Sequence, residues 1–245
     1  MARLEKQARW AAPVLLRDFH AGPGMRVLDL ATGVGAMAHE LRSRFAGAQV
    51  LGLDFARAQL DRARQRQPWL PLVQADAAAL PFRDGSFDRV HASWFLEHVR
   101  TPVEILREVR RVLKPGGRCH FVEVDNDTFR VEPPPPDVAQ ILAALNEAQR
   151  AGGGDPFVGR RLAQYFAEAG FRGARVVDLP IEGSAADPVF FQGFAEEFAE
   201  IFEGLDESLP HLVEVARRAA QALRALPAQG GRMAYAAKLA QAVRD

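Results

Sequence analysis

Residues 26–35 read RVLDLATGVG, and the other elements of the chain are arranged around them. The apolar run VLDL ends at a glycine loop, and residues 36–45 that follow have the spacing of an amphipathic helix. This order predicts a buried parallel strand, a tight loop and a helix. Gly33 and Gly35 lack a β-carbon, so the backbone can turn sharply and a ligand can approach the amides that open the helix. We therefore expect a ligand site at this loop.

Two nucleotide-like ligands fit such a loop. The segment GVGAMA matches the GxGxxA form of the dinucleotide fingerprint, and Asp54 ends the next apolar run, where a carboxylate can accept hydrogen bonds from ribose hydroxyls. Asp29, however, lies just before the loop, where it would repel a pyrophosphate but tolerate a cationic ligand. Asp76 follows a third apolar run and can accept a hydrogen bond from an adenine amino group. The residues favour a cationic nucleoside and leave NAD open.

Two more strand and helix units complete the pattern, with the sequences FDRVHASWFLEHV and LREVRRVLKPGGRCHFVEV. Together, the five blocks resemble the class I S-adenosylmethionine-dependent methyltransferases, in particular the small-molecule enzymes similar to the ubiquinone and menaquinone C-methyltransferases. The resemblance covers roughly residues 24–180. It implies an α/β fold with a doubly wound, mostly parallel seven-stranded sheet of the Rossmann-like type. It also implies S-adenosylmethionine as cofactor and methyl transfer to oxygen, carbon or nitrogen of a small, partly apolar acceptor.

The resemblance places the cofactor across the tips of the first two strands. Asp54 should bind the ribose hydroxyls, and Asp29 should help to bind the methionine ammonium. Phe55 should stack on the adenine, while Asp76 binds its amino group. The full set of predicted cofactor-binding residues is Asp29, Ala31, Thr32, Gly33, Gly35, Asp54, Phe55, Asp76, Ala77, Ser93 and Trp94. Ala31 and Thr32 stand where the family more often has glycine and cysteine, but both are small, so we expect binding to survive.

The segment WFLEHV, residues 94–99, follows the fourth strand, where the acceptor should meet the cofactor. His98, Glu123 and Asp125 are the candidate catalytic bases, because each can take a proton from an acceptor group. A structural role for His98 and ordinary loop positions for the two carboxylates stay open. A base is optional, since a sulfonium is already an activated donor and orientation alone contributes about 7–11 kcal/mol in favourable systems.

Composition limits the class of partner. With 245 residues, 48% hydrophobic and 25% charged, the chain can bury a sizeable core in one main domain. Its 31 Lys and Arg balance 31 Asp and Glu, so no net charge attracts nucleic acid or an anionic membrane. The single cysteine, Cys119, fits a cytoplasmic protein. We expect no membrane span, no metal site and a monomer or homodimer that acts on a small molecule.

Three segments are predicted. Residues 1–23 should form a helix that covers the cofactor cleft, and residues 24–184 with 228–245 should form the cofactor-binding domain. Residues 185–227 carry phenylalanines at helical spacing and should form a helical lid over an apolar acceptor pocket. Residues 233–243 are rich in alanine, which favours a helix, whereas the family topology requires an antiparallel strand. We place them as a strand.

Three classes of function remain open. They are a methyltransferase, an NAD-dependent dehydrogenase and a protein that binds S-adenosylmethionine without transfer activity. The dehydrogenase ranks far behind, because no acid and base set for hydride transfer is evident after the loop. Binding of S-adenosylmethionine or of NAD separates the first two classes, and turnover on a true acceptor separates the enzyme from the binding protein.

Overall fold

The computed structural model describes residues 3–205 and 209–245. The start of the predicted N-terminal helix, residues 1–2, and residues 206–208 of the predicted lid lie outside the described residues. The strands are β1 (Arg26–Leu30), β2 (Gln49–Asp54), β3 (Leu72–Gln74), β4 (Phe87–Ser93), β5 (Leu113–Glu123), β6 (Arg130–Glu132), β7 (Arg175–Gly183) and β8 (Arg232–Val243). The helices are α1 (Arg3–Leu15), α2 (Ala36–Arg44), α3 (Arg57–Arg66), α4 (Pro102–Val112), α5 (Pro136–Ala151), α6 (Leu162–Glu168), α7 (Pro188–Glu203) and α8 (Val213–Ala225).

One sheet organises the chain. Strands β1 to β5 are parallel and lie in the order β3, β2, β1, β4, β5. Strand β8 is antiparallel to β5 through residues 238–243 and to β7 through residues 233–241. Because these two pairings overlap, β5 and β7 lie on opposite edges of β8. The predicted α/β class with a mostly parallel sheet is confirmed.

The predicted number of seven strands is wrong for the described residues, which contain eight. The additional strand is β6, which pairs with residues 232–234 at the start of β8. Residues 133–136 after β6 are four prolines, and a proline disfavours the helical conformation of the residue before it. The chain is therefore extended here, and Val131 buries its side chain opposite Met233.

The alanine-rich tail forms the predicted strand, β8, which confirms that prediction. Its buried residues alternate along much of the strand and include Met233, Tyr235, Ala237 and Leu239. Such alternation is the period of a strand. Helix propensity is a weak preference that tertiary contacts override, and here β8 gains hydrogen-bonded neighbours on both edges.

Helices α1 and α7 pack together above the sheet. The Trp10 ring lies 5.6 Å from Phe194 and 5.3 Å from Phe190, between ring centroids. Gly193 makes this approach possible, because a β-carbon there would lie 3.0 Å from the Trp10 ring. Three aromatic side chains of α7, Phe191, Phe194 and Phe202, are fully buried. The phenylalanine stripe therefore joins α7 to α1 and to the core.

Residues 3–205 and 209–245 contain neither a membrane-spanning helix nor a cluster of metal-binding side chains. No helix there combines the length and the apolar character that a bilayer crossing requires. No group of three or more His, Cys, Asp or Glu side chains is arranged to hold a metal ion within the same residues.

Gly52 in β2 should be intolerant of a side chain. A β-carbon at this position would lie 2.8 Å from Thr32 Cγ2 and 3.0 Å from Leu72 Cδ2. Overpacking of this kind costs about 1–3 kcal/mol, so Gly52→Ala should lower the free energy of unfolding by that amount in urea titrations. Gly22→Ala is the matched control, since a β-carbon there meets only Met25 Cε at 3.9 Å. Equal stabilities of the two variants would contradict this packing.

Candidate cofactor and acceptor site

The loop after β1 has an unusual backbone. Ala31 has φ of 58° and Gly33 has φ of 54°, both in the left-handed region. Alanine is uncommon there, and such a conformation costs about 1–3 kcal/mol and is concentrated at functional sites. A β-carbon on Gly33 would meet only Leu4 Cδ1, at 3.9 Å. The space beside Gly33 thus belongs to a large cavity that the loop borders.

Gly35 has a different role from the one predicted. Its φ is 76°, and a β-carbon would lie 3.1 Å from Leu70 Cδ2 and 3.3 Å from Gln67 Cγ. Gly35 does not line the cavity. It lets the start of α2 pack closely on the chain after α3, and so it acts on the fold rather than on ligand approach.

Asp54 connects the tips of β1 and β2. Its Oδ2 accepts a hydrogen bond from the Gly33 amide at 2.8 Å, and its Oδ1 accepts one from the Ala56 amide at 2.8 Å. The half-buried carboxylate lines the cavity. A carboxylate has about four acceptor positions, so Asp54 keeps capacity for hydroxyl donors of a ligand while its position is fixed by two amides.

Asp29 does not line the cavity, contrary to the predicted contact with an ammonium group. It is 2% exposed, and its Oδ2 accepts a hydrogen bond from Thr32 Oγ1 at 2.6 Å. Its Oδ1 lies 3.2 Å from His91 Nδ1, which must carry the proton because a carboxylate only accepts. Asp29 therefore fixes the position of the loop through its hydrogen bond with Thr32, and it does not itself border the cavity.

The residues predicted to hold an adenine border the cavity. Phe55 is 74% exposed, which is unusual for a phenylalanine, and it follows Asp54 directly. Asp76 accepts a hydrogen bond from the Ala78 amide at 2.9 Å, and its neighbour Ala77 is buried. The predicted residues that line the cavity are Ala31, Thr32, Gly33, Asp54, Phe55, Asp76, Ala77, Ser93 and Trp94. The structure thus brings nine of the eleven predicted residues to one cavity, all except Asp29 and Gly35.

The cavity has a volume of about 1380 Å³, which exceeds the usual range of about 300–1,000 Å³ for small-molecule sites. Helix α1 contributes Leu4, Gln7, Ala8 and Trp10, and α7 contributes Phe194, Glu197, Phe198 and Ile201. Two polar atoms of its lining residues, Trp10 Nε1 and Gln59 Oε1, are buried without a hydrogen-bond partner among the described residues. A buried polar atom is costly unless it is paired. Both atoms are closed to solvent, so the surrounding side chains would have to move before a ligand could bond to either.

Glu123 and Asp125, two predicted bases, do not line the cavity. The Glu123 carboxylate accepts hydrogen bonds from the amides of Phe95 and Leu96, at 3.0–3.3 Å. Burial raises its pKa to about 8, although these amide bonds act in the opposite direction. Asp125 is 3% exposed and accepts a hydrogen bond from Arg160 Nε at 2.9 Å. The Glu123 carboxylate is thus already used by two amides and Asp125 Oδ2 by Arg160, whereas Asp125 Oδ1 is buried without a hydrogen-bond partner among the described residues. Since neither carboxylate lines the cavity, this geometry favours a structural role over that of a base.

The segment after β4 carries a carboxylate that the sequence did not single out as a base. Glu97 is 8% exposed and lines the cavity, and its Oε2 accepts a hydrogen bond from Gln149 Nε2 at 2.6 Å. The predicted base His98 lies at the cavity rim with 63% of its side chain exposed, and its Nε2 is 3.6 Å from Glu97 Oε1. Burial raises the pKa of Glu97. Asn126, Gln149 and Tyr235 also line this part of the cavity and were not predicted.

The sheet order, the glycine loop and the cavity at the carboxyl ends of the parallel strands are features of the Rossmann-like fold, in which ligands bind at that edge. Residues 28–121 match a family model described as a methyltransferase domain. This segment is therefore similar to methyltransferase domains, and the predicted resemblance to class I enzymes of the ubiquinone and menaquinone C-methyltransferase group is confirmed. Asp54, Phe55, Asp76 and Glu97 all lie within the matched segment.

The curated relatives are similar over part of their length. A demethylmenaquinone methyltransferase of Thermus thermophilus is 42% identical over 145 residues, which are 58% of this chain and 61% of the relative. That of Renibacterium salmoninarum is 41% identical over 109 residues, 44% of this chain and 45% of the relative. An uncharacterised 37.1 kDa transposon protein of Streptomyces fradiae is 33% identical over 191 residues, 74% of this chain and 54% of the relative. The chain thus spans about half the length of such relatives.

Solved structures share the fold. Phosphoethanolamine N-methyltransferase 2 of Haemonchus contortus, in a complex with S-adenosylhomocysteine, aligns with a TM-score of 0.62 at 20% identity over 96% of this chain and 52% of that chain. The cyclase SpnF aligns with a TM-score of 0.60 at 22% identity over 98% of this chain and 81% of that chain. At these identities the likeness establishes the fold alone, and the presence of a cyclase shows that this fold is not reserved for one reaction.

The end of α1 is anchored by a histidine that should make the fold sensitive to acid. His120 Nε2 donates to Leu15 O at 2.8 Å, and burial followed by the neighbouring His91 lowers the pKa of His120 to about 3. The folded state therefore binds fewer protons than the unfolded state between that pKa and the ordinary value of about 6.5. This contribution to stability is complete above pH 6.5 and is lost as the pH falls towards 3.

Urea unfolding between pH 6.5 and 5 should show the free energy of unfolding decreasing by up to about 1.4 kcal/mol per pH unit from this group. His120→Gln keeps a side-chain N–H donor for Leu15 and should flatten that slope. His211→Gln, at an exposed position, should retain the slope of the parent protein. An unchanged slope in His120→Gln would show that His120 is not the group responsible.

Proposed function

We propose that this protein binds S-adenosylmethionine and transfers its methyl group to a small, partly apolar organic acceptor. The observation that carries the proposal is the Asp54 carboxylate, which two backbone amides fix at the border of the cavity. It lies within the segment that matches the methyltransferase family. A carboxylate at the end of the second strand suits the two hydroxyls of a ribose.

The neighbouring residues suit the rest of the cofactor. The open space beside Gly33 suits the part next to the ribose, and the exposed ring of Phe55 offers a stacking face for adenine. Asp76, which lines the cavity, suits the adenine amino group because a carboxylate accepts hydrogen bonds. Ser93 and Trp94 at the end of β4 border the side where the acceptor would enter. When bound, S-adenosylmethionine supplies an activated methyl group on a sulfonium.

The chain's own task is then to orient the acceptor and to exclude water. Helices α1 and α7 both line the cavity, and they contact each other through Trp10 and Phe194. We propose that residues 1–23 and 185–227 act as cover and lid of the domain formed by residues 24–184 and 228–245. Orientation within such an enclosure is a sufficient source of rate for an activated donor.

The two alternative functions receive less support. Asp54 suits the ribose of NAD as well as that of S-adenosylmethionine, so the lower rank of the dehydrogenase rests on the match of residues 28–121 to a methyltransferase domain. A protein that binds the cofactor without transfer is compatible with the same site, and only turnover distinguishes it. We further propose a cytoplasmic protein, which its single cysteine supports, that is a monomer or homodimer. Sedimentation velocity measures the oligomeric state directly.

Asp54→Asn should weaken the binding of S-adenosylhomocysteine by about 10–100-fold, because a hydrogen bond to a charged group contributes about 1.5–3 kcal/mol. Isothermal titration calorimetry measures this, with NAD titrated in parallel. Asp61→Asn is the matched control, since Asp61 lies on the exposed face of α3 and pairs with Arg57 and Arg64. Unchanged affinity in Asp54→Asn would refute the ribose assignment. Binding of NAD in place of S-adenosylhomocysteine would refute the proposed function.

Phe55→Ala should weaken S-adenosylhomocysteine binding between about 5-fold and 100-fold, as expected for loss of a base stacked on an aromatic ring. The free energy of unfolding should hardly change, because the ring is 74% exposed. Val189→Ala removes another large exposed side chain, 82% exposed on α7, and should change neither quantity. A loss of stability without a loss of affinity would show that Phe55 serves the core.

A further inference from the structure

Glu97 is placed where an acceptor would be held. It follows β4 and Trp94 in the chain, it lines the cavity, and only 8% of it is exposed. Gln149 of α5 fixes one carboxylate oxygen at 2.6 Å, while the other oxygen lies 3.6 Å from His98 Nε2. That distance exceeds a hydrogen bond. One oxygen is thus positioned by the protein, and the other keeps acceptor capacity.

An aromatic wall lines the same cavity. Its members, Trp10, Phe194, Phe198 and Tyr235, contact one another in sequence at centroid distances of 5.6, 5.5 and 6.1 Å. Glu97 and Tyr235 line the same cavity, and burial raises the pKa of Tyr235 well above its usual value, so the wall carries no phenolate charge. Aromatic faces attract cations, most strongly where water is excluded.

The charges around the cavity favour the same kind of ligand. Four of the described residues that line the cavity carry a carboxylate: Asp54, Asp76, Glu97 and Glu197. Among the same residues, one carries an arginine or lysine side chain, the exposed Arg100 at the rim. Burial raises the pKa of Glu97, and a cation bound beside it would offset the cost of its charge. An anionic acceptor would instead meet a carboxylate in a partly dry site.

We propose that the acceptor carries a basic nitrogen, which Glu97 and the aromatic wall bind as an ammonium. This inference rests on the proposed methyl transfer. Glu97 then takes the ammonium proton, and the freed nitrogen lone pair forms a bond to the methyl carbon. The carbon–sulfur bond breaks with its electron pair staying on sulfur, so the products are an N-methylated ammonium and a neutral thioether. Glu97 then loses this proton to solvent at the rim of the cavity, where the side chain of His98 is 63% exposed.

Three small probes of similar size test this inference: 2-phenylethylamine, 2-phenylethanol and phenylacetate, which are cationic, neutral and anionic at pH 7. Each is titrated calorimetrically into the protein saturated with S-adenosylhomocysteine. The amine should bind at least 10-fold more tightly than the alcohol, and phenylacetate should bind most weakly. Equal binding of amine and alcohol, or no binding of the amine at millimolar concentration, would overturn the inference.

Substitutions of Glu97 test whether this residue causes the preference for the amine over the alcohol. Glu97→Gln should abolish the preference for the amine while the affinity for S-adenosylhomocysteine stays unchanged, which also shows that the protein is folded. Glu97→Asp keeps the charge and should retain part of the preference, whereas Glu214→Gln on the exposed face of α8 should behave like the parent. A preference that persists in Glu97→Gln would overturn the role of Glu97. If S-adenosylhomocysteine does not bind the parent protein, the proposed function fails instead.

Discussion

The Asp54 carboxylate is the link on which the site depends. Parallel strands end with backbone amides that need acceptors, and at the tips of β1 and β2 Asp54 accepts from both Gly33 and Ala56. The loop it holds is supported from beneath by the short bond between Thr32 and Asp29. Gly52 completes the arrangement, because any side chain there would displace Thr32. The geometry that closes the fold is therefore the same geometry that presents a carboxylate and an open glycine to a ligand.

This arrangement explains which site residues the sequence could predict. Asp54, Phe55 and Asp76 lie directly after apolar runs, and the carboxyl ends of parallel strands meet at one edge of a sheet. Topology alone therefore brings them to the cavity. Asp29 lies one residue before the end of β1, so the alternation of side chains directs it towards His91 instead.

Residues whose role depends on partners far away in the sequence could not be predicted in the same way. Glu123 ends β5 at the expected edge, but the amides of Phe95 and Leu96 occupy its carboxylate. Glu97 owes its position to Gln149, which lies 52 residues away in the sequence. Local patterns do not encode such pairings. The same limit applies to β6, whose pairing with the start of β8 spans about a hundred residues.

The cavity is lined by residues inside and outside the segment that matches the methyltransferase family. Asp54, Phe55, Asp76 and Glu97 lie within residues 28–121, whereas α1, α7 and Tyr235 lie outside them. Folds of this type support several reactions by changing such surroundings while the sheet persists. Under the proposed function, the aromatic wall and the buried Glu97 carboxylate decide the choice of substrate.

A crystal structure of the complex with S-adenosylhomocysteine tests the proposed site without intermediate steps. We expect ribose hydroxyls within hydrogen-bond distance of the Asp54 carboxylate, with the adenine against Phe55 and the sulfur turned towards Trp94. A nucleoside bound elsewhere, with Asp54 in contact with the Gly33 and Ala56 amides alone, would contradict it.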